Sequence, residues 1–182
     1  MKTIGITGGK GGTGKSTIAT ALAYHLSKKS RVLLVDADVD CPNDHLLLSI
    51  EREKVKDVYQ RIPEFDLSKC KKCGICGEAC KFNAIASVKA CAIACPHDAI
   101  SHSKKKVGEI YKGRKGNLHL VSAQIMPNYA ISAFVVNEEL DHLESAKEYF
   151  DIMIIDTAAG THCNVLEALN DCDIVIAVTE PT

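Results

Sequence analysis

A chain of 182 residues, 46% hydrophobic and 25% charged, is long enough to bury one sizeable core and to carry a small appendage. Its net charge of −1 and pI near 6.6 exclude a long-range field that would draw in nucleic acid or an anionic membrane surface. No apolar run reaches 18 residues, and Met1–Gly5 leads straight into a strand without a charged leader, so the expected location is cytoplasmic.

Thr3 to Thr7 reads as a short buried strand, and Ser16 to Lys28 reads as a helix with Ala19, Leu22, Ala23 and Leu26 on one face. Between them lies Gly8-Gly9-Lys10-Gly11-Gly12-Thr13-Gly14-Lys15-Ser16-Thr17. Glycines let successive backbone N–H groups converge on phosphate oxygens with no side chain in the way. Gly9, Gly11, Gly12 and Gly14 meet that need. Lys15 is placed to reach the β- and γ-phosphates and Ser16 to ligate Mg²⁺, while the helix start adds its partial positive charge. A strand, the Gly-x-x-x-x-Gly-Lys-Ser spacing and a helix in that order point to a phosphate-binding loop.

Val32 to Val35 is a second apolar run, of the kind that parallel strands buried on both faces show, and it ends in Asp36. Further strands are expected at Leu118–Val121, Ile152–Ile155 and Ile174–Val178, with helix from about Ile131 to Tyr149. Strands alternating with helices imply an α/β fold with a mainly parallel sheet. Phosphoryl transfer needs carboxylates at strand ends facing the loop, and Asp36, Asp38 and Asp156 are placed there. Their structural alternative is to cap the helices that follow. The lysines at 104–106 and 112–115 are expected as solvated loop charge.

The strand-helix rhythm stops between about Pro63 and Ser103, where six of the nine cysteines fall. The expected organisation is core at 1–62, an inserted ferredoxin-like domain at 63–103, and core again at 104–182. Within the insert, Cys76–Ile85 repeats as Cys91–Ile100 at an offset of fifteen. Cys70-x-x-Cys73-x-x-Cys76-x-x-x-Cys80 has the spacing by which bacterial ferredoxins grip an iron–sulfur cube. In the two-cluster pattern the distant ligand comes from the other run, which makes Cys95, followed by Pro96, the fourth thiolate, with Cys80 as the alternative. The second run lacks cysteines at Ile85 and Val88, so one [4Fe–4S] cluster is expected, and Cys80 and Cys91 are left as thiols or as a pair that oxidation joins. Four thiolates also suit a structural zinc. Cys41, Cys163 and Cys172 read as ordinary small residues.

Lys10, early in the loop, is a second lysine that an ordinary phosphate loop does not demand. With it, Gly-Lys-Gly-Gly-Thr-Gly-Lys-Ser resembles the deviant Walker A motif of the MinD/ParA/nitrogenase-iron-protein ATPases, in particular the members with an inserted ferredoxin domain. The resemblance implies ATP or ADP with Mg²⁺ as ligands, and an ATP-sandwiched homodimer in which Lys10 reaches the partner's nucleotide. It also implies that Asp36 and Asp156 support Mg²⁺, that Asp38 positions the attacking water, and that Gly160 senses the γ-phosphate. Thr157-Ala158-Ala159-Gly160 departs from the family's Pro-Pro-Gly and implies a less rigid second switch. Family members continue beyond a strand like the one before Thr182, which implies a truncated chain.

The function expected first is an ATPase whose dimer switch is coupled to a 4Fe–4S cluster, passing electrons or metal clusters to an acceptor protein. The second is a MinD/ParA-like positioning or regulatory switch with structural zinc at the cysteines. An amidating synthetase ranks last, since no substrate pocket is evident.

Overall fold

The computed structural model describes residues 1–80 and 90–180; Ile85 and Val88, and with them part of the fifteen-residue repeat, lie outside the described residues. The chain divides into two compact units, Met1–Val58 with Val107–Thr182, and Tyr59–Lys106. In chain order the elements are β1 (Lys2–Thr7), α1 (Lys15–Leu26), β2 (Val32–Asp36), α2 (Asp44–Leu48), β3 (Arg52–Phe65), α3 (Ile75–Glu78) and α4 (Ala90–Ala94). There follow β4 (Ile100–Lys115), β5 (Leu118–Ile125), α5 (Ser132–Leu143), a 3₁₀ turn (Glu144–Tyr149), β6 (Ile152–Asp156), α6 (Cys163–Leu169) and β7 (Ile174–Ala177).

In the first unit the strands β5-β2-β6-β1-β7 lie side by side, each parallel to its neighbour. Side-chain alternation sorts their apolar residues onto two faces. Val32, Leu34, Leu118, Leu120 and Ile154 pack with Ala19 and Ala23 of α1. Leu33, Val35, Val121, Ala123, Met153 and Ile155 pack with Val135, Val136 and Leu143 on the α5 side. Two covered faces explain why β2 is buried along its whole length and why its sequence is a continuous aliphatic run.

Two long strands were not anticipated. β4 pairs antiparallel with β5, from Gly108↔Ile125 to Lys115↔Leu118, and β3 lies beyond β4 in the strand order. The lysines at 104–106 and 112–115 therefore belong to a strand and not to a loop. Their charge is compatible with a strand because much of β4 is exposed, while Val107 and Ile110 are buried. The helix expected from Ile131 to Tyr149 tightens to 3₁₀ geometry after Leu143.

In the second unit β3 ends and β4 begins around the short helices α3 and α4, which pack together. Cys80 and Cys91 are buried there. Among the described residues no helix is long and apolar enough to cross a membrane.

Candidate nucleotide and metal sites

The parallel register sets the chemistry at one end of the sheet. Asp36 at the end of β2 stands level with Asp156 at the end of β6, and Ile6 of β1 is level with Asp156 on its other side. The loop of residues 8–14 thus leaves β1 next to two strand-terminal carboxylates, at the carboxyl ends of the strands where parallel α/β proteins bind ligands.

Gly14 enters α1 at φ 91°, a left-handed conformation that a side chain would strain. A Cβ on Gly8 would stand 2.5 Å from the Val178 carbonyl oxygen, so only glycine lets the chain turn there. The Lys15 side chain is buried, and its ammonium donates to the Lys10 carbonyl at 3.2 Å. Lys10 is exposed, as are Gly9, Gly11, Gly12 and Thr17, whereas Thr13 and Ser16 are half-buried. Residues 157–160 are tied to β1 and to the loop. Thr157 donates both its N–H (3.1 Å) and its hydroxyl (3.0 Å) to the Ile6 carbonyl, and the Gly160 N–H donates to the Gly8 carbonyl at 3.1 Å.

The acids form a buried group. Asp36 accepts the N–H groups of Asn43 at 2.8 Å and Asp44 at 3.0 Å, which folds the chain after β2 back onto its end. Burial pushes the Asp36 carboxyl up to about 7, against those two hydrogen bonds. Burial likewise lifts Asp156 to about 6, with the Ser16 hydroxyl and the Lys15 ammonium pulling it back. Asp38 is half-exposed and raised by partial burial, and its carboxylate accepts the Cys41 N–H at 3.3 Å. Two acids escaped the sequence reading. Asp44 is fully buried and pushed up to about 10 by desolvation and then by Asp36. Glu139 of α5 is fully buried as well, and desolvation holds its carboxyl well above the usual range. Glu139 had a legible signal, since it falls on the apolar stripe of Val135, Val136 and Leu143.

The nucleotide-binding domain family described as CobQ/CobB/MinD/ParA matches residues 4–176. The chain belongs to this family. Over its whole length it is 33% identical to the uncharacterized protein MJ0579 of Methanocaldococcus jannaschii, of which it spans 70%. It is 26% identical over 99% of its length to the septum site-determining protein MinD of Neisseria meningitidis, spanning 54% of that protein. Among solved structures, the septum site-determining protein MinD of Pyrococcus horikoshii, complexed with Mg-ADP, shares the fold at a TM-score of 0.54 and 23% identity. That likeness covers all of this chain and 58% of the solved one.

The match over residues 4–176 runs through both units, and the second unit carries its own set of donors. A small cavity of about 40 Å³ is lined by Cys70, Cys73, Cys76 and Cys95, together with Phe65 and Ile100. Cys80 is not among its lining residues. The Ala99 N–H donates to the Cys95 sulfur at 3.4 Å, the kind of contact that tunes thiolate ligands. Among the described residues no disulfide joins any cysteine. A cavity of about 730 Å³, lined by Leu33, His119 and Phe150 among others, lies away from the phosphate loop.

Proposed function

We propose that this chain is the ATP-binding, ATP-hydrolysing part of a MinD/ParA-like molecular switch. The observation that carries this reading is the convergence of the Lys10–Lys15 loop with Asp36, Asp38 and Asp156 at adjacent strand ends. The loop amides and Lys15 bind the phosphates; Asp38, half-exposed beside them, orients the water. Buried Asp156, with Ser16 beside it and Asp36 level with it, fits a cation, and Ser16, Asp36 and Asp156 are the residues that would hold Mg²⁺. When bound, that ion supplies neutralising charge to the phosphate oxygens. Exposed Lys10 is free to reach across to a second copy, as the family resemblance implies. The test is binding of a fluorescent ATP analogue together with light-scattering mass. Lys15→Ala should abolish binding, whereas Lys10→Ala should bind nucleotide yet stay monomeric with ATP. Dimers of the Lys10 variant would sink the reading.

A second reading, in which the switch is coupled to a 4Fe–4S cluster serving a redox or cluster-accepting protein, is supported by the four-cysteine cavity. Cys70, Cys73, Cys76 and Cys95 would hold such a cube, which would supply one-electron chemistry. Four thiolates are equally a tetrahedral donor set for structural zinc, so metal analysis separates the two. Iron and acid-labile sulfide analysis of anaerobically purified protein decides it; zinc in their place refutes it.

A further inference from the structure

The nucleotide reading leaves Asp44, which lies against the strand-end acids, without a task. It starts α2, is 0% exposed, and neither of its carboxylate oxygens has a hydrogen-bond partner. A buried carboxylate without a donor is among the more expensive groups a fold can hold, and the charges acting most strongly on it are those of Asp36, Asp156 and Asp38, all negative. Asp156 is buried as well, at 1% exposed, with the Ser16 hydroxyl and the Lys15 ammonium bearing on its carboxyl. Lys15 is the cation that bears on Asp156, and its ammonium is already engaged by the Lys10 carbonyl.

One oxygen from each of Asp36, Asp44 and Asp156 lies within 4.8 Å of the other two. That spread matches oxygens around a hard divalent cation, which takes carboxylates at about 2.0–2.6 Å. The backbone holds the trio in place. β2 and β6 fix Asp36 and Asp156 by register, and the Asn43 and Asp44 N–H bonds to Asp36 draw the start of α2 onto the same spot. Each residue is therefore positioned by main-chain bonds before any ligand arrives, which is the condition for a preorganised site.

We propose that Asp36, Asp44 and Asp156 form a divalent-cation site that fills without nucleotide, with Asp44 as the ligand that completes it. The inference deepens the nucleotide reading of the same site: the ion is resident in the protein and does not have to arrive on the phosphates. Mg²⁺ or Mn²⁺ is the expected class of ion, since all three donors are hard oxygens and no nitrogen or sulfur takes part. Because Asp44 opens α2, occupancy also fixes the segment that follows Asp36 and Asp38.

The experiment is Mn²⁺ binding to chelator-treated full chain without nucleotide, followed by electron paramagnetic resonance and calorimetry. Binding of a fluorescent ATP analogue with Mg²⁺ is measured in parallel. One Mn²⁺ per chain is expected. Asp44→Asn and Asp44→Ser should each weaken it at least tenfold, with circular dichroism checking that each variant is folded. Absence of nucleotide-free Mn²⁺ binding in the wild type, or unchanged affinity in a folded Asp44 variant, overturns the proposal. Failure of the analogue to bind wild-type protein refutes the nucleotide reading instead, and the Mn²⁺ result still decides this one.

Discussion

Replacing Glu139 with methionine should stabilise the protein, and by more at alkaline pH than at acid pH. The side chain is fully buried in α5 among Val135, Val136 and Leu143, where the Ala123 N–H favours its charged form but leaves the two oxygens short of full hydrogen bonding. Under-satisfied buried oxygens cost about 1–3 kcal/mol. Methionine has similar volume, no polar oxygen and a flexible stem, so the site should repack at little expense. The pH dependence follows from the raised carboxyl, which is held up first by desolvation and then by the charge of Asp36. A carboxyl whose folded pKa exceeds its unfolded value of 4.5 gives its full stabilisation below pH 4.5 and loses it as pH climbs toward the folded value. Wild-type protein should therefore lose stability between pH 5 and pH 8, and Glu139→Met should lose less. For a chain of this size each kcal/mol moves the melting midpoint by about 2–4 °C, so a gain of about 2–12 °C is expected at pH 8. Thermal melts followed by circular dichroism in chelator at both pH values provide the assay. A variant that melts below wild type at pH 8, or whose gain is equal at the two pH values, would refute the reasoning.

Gly5→Ala should cost about 1–3 kcal/mol, because the new methyl would stand 2.4 Å from Leu169 Cδ2 and 3.0 Å from Cys172 Sγ; urea denaturation reads this directly. Leu34→Ala, at a fully buried position on the α1 face, should cost about 2–5 kcal/mol in the same assay. Cys95→Ala should lower iron bound after anaerobic reconstitution to a small fraction of wild type, whereas Cys80→Ala should keep most of it. Equal loss in both would move the fourth ligand.

The five parallel strands could be read from the sequence because both of their faces are covered, and burial on two sides leaves a run of aliphatic residues. β3 and β4 lack that signature. Arg52-Glu-Lys-Val-Lys-Asp-Val58 buries only Val58 fully, Pro63 interrupts the run, and lysines cover the exposed part of β4. Charge on a largely exposed strand is indistinguishable from charge on a loop until the strand has a partner. The phosphate loop and the strand-terminal acids were legible because each directly follows an apolar strand, and Cys70, Cys73 and Cys76 because their close spacing stands out in the chain; the structure brings those three to one cavity with Cys95. Asp44 was not. An acid after Pro42-Asn43 reads as an ordinary start to a helix, and its burial depends on Asp36 reaching forward to two amides. No local pattern encodes that contact.

The level pairing of Val32 with Ile152 and of Asp36 with Asp156 bears on how such a chain can change over generations. Side chains alternate along a strand, so one residue gained or lost within β2 or β6 would turn its terminal acid away and exchange the two covered faces at once. Length there is frozen by geometry. Between Tyr59 and Lys106 the chain folds as a unit of its own, and additions or losses in that stretch leave the pairing of β2 and β6 untouched. Novelty in this lineage is therefore expected to accumulate by insertion in that stretch and by point substitution at the sheet's end.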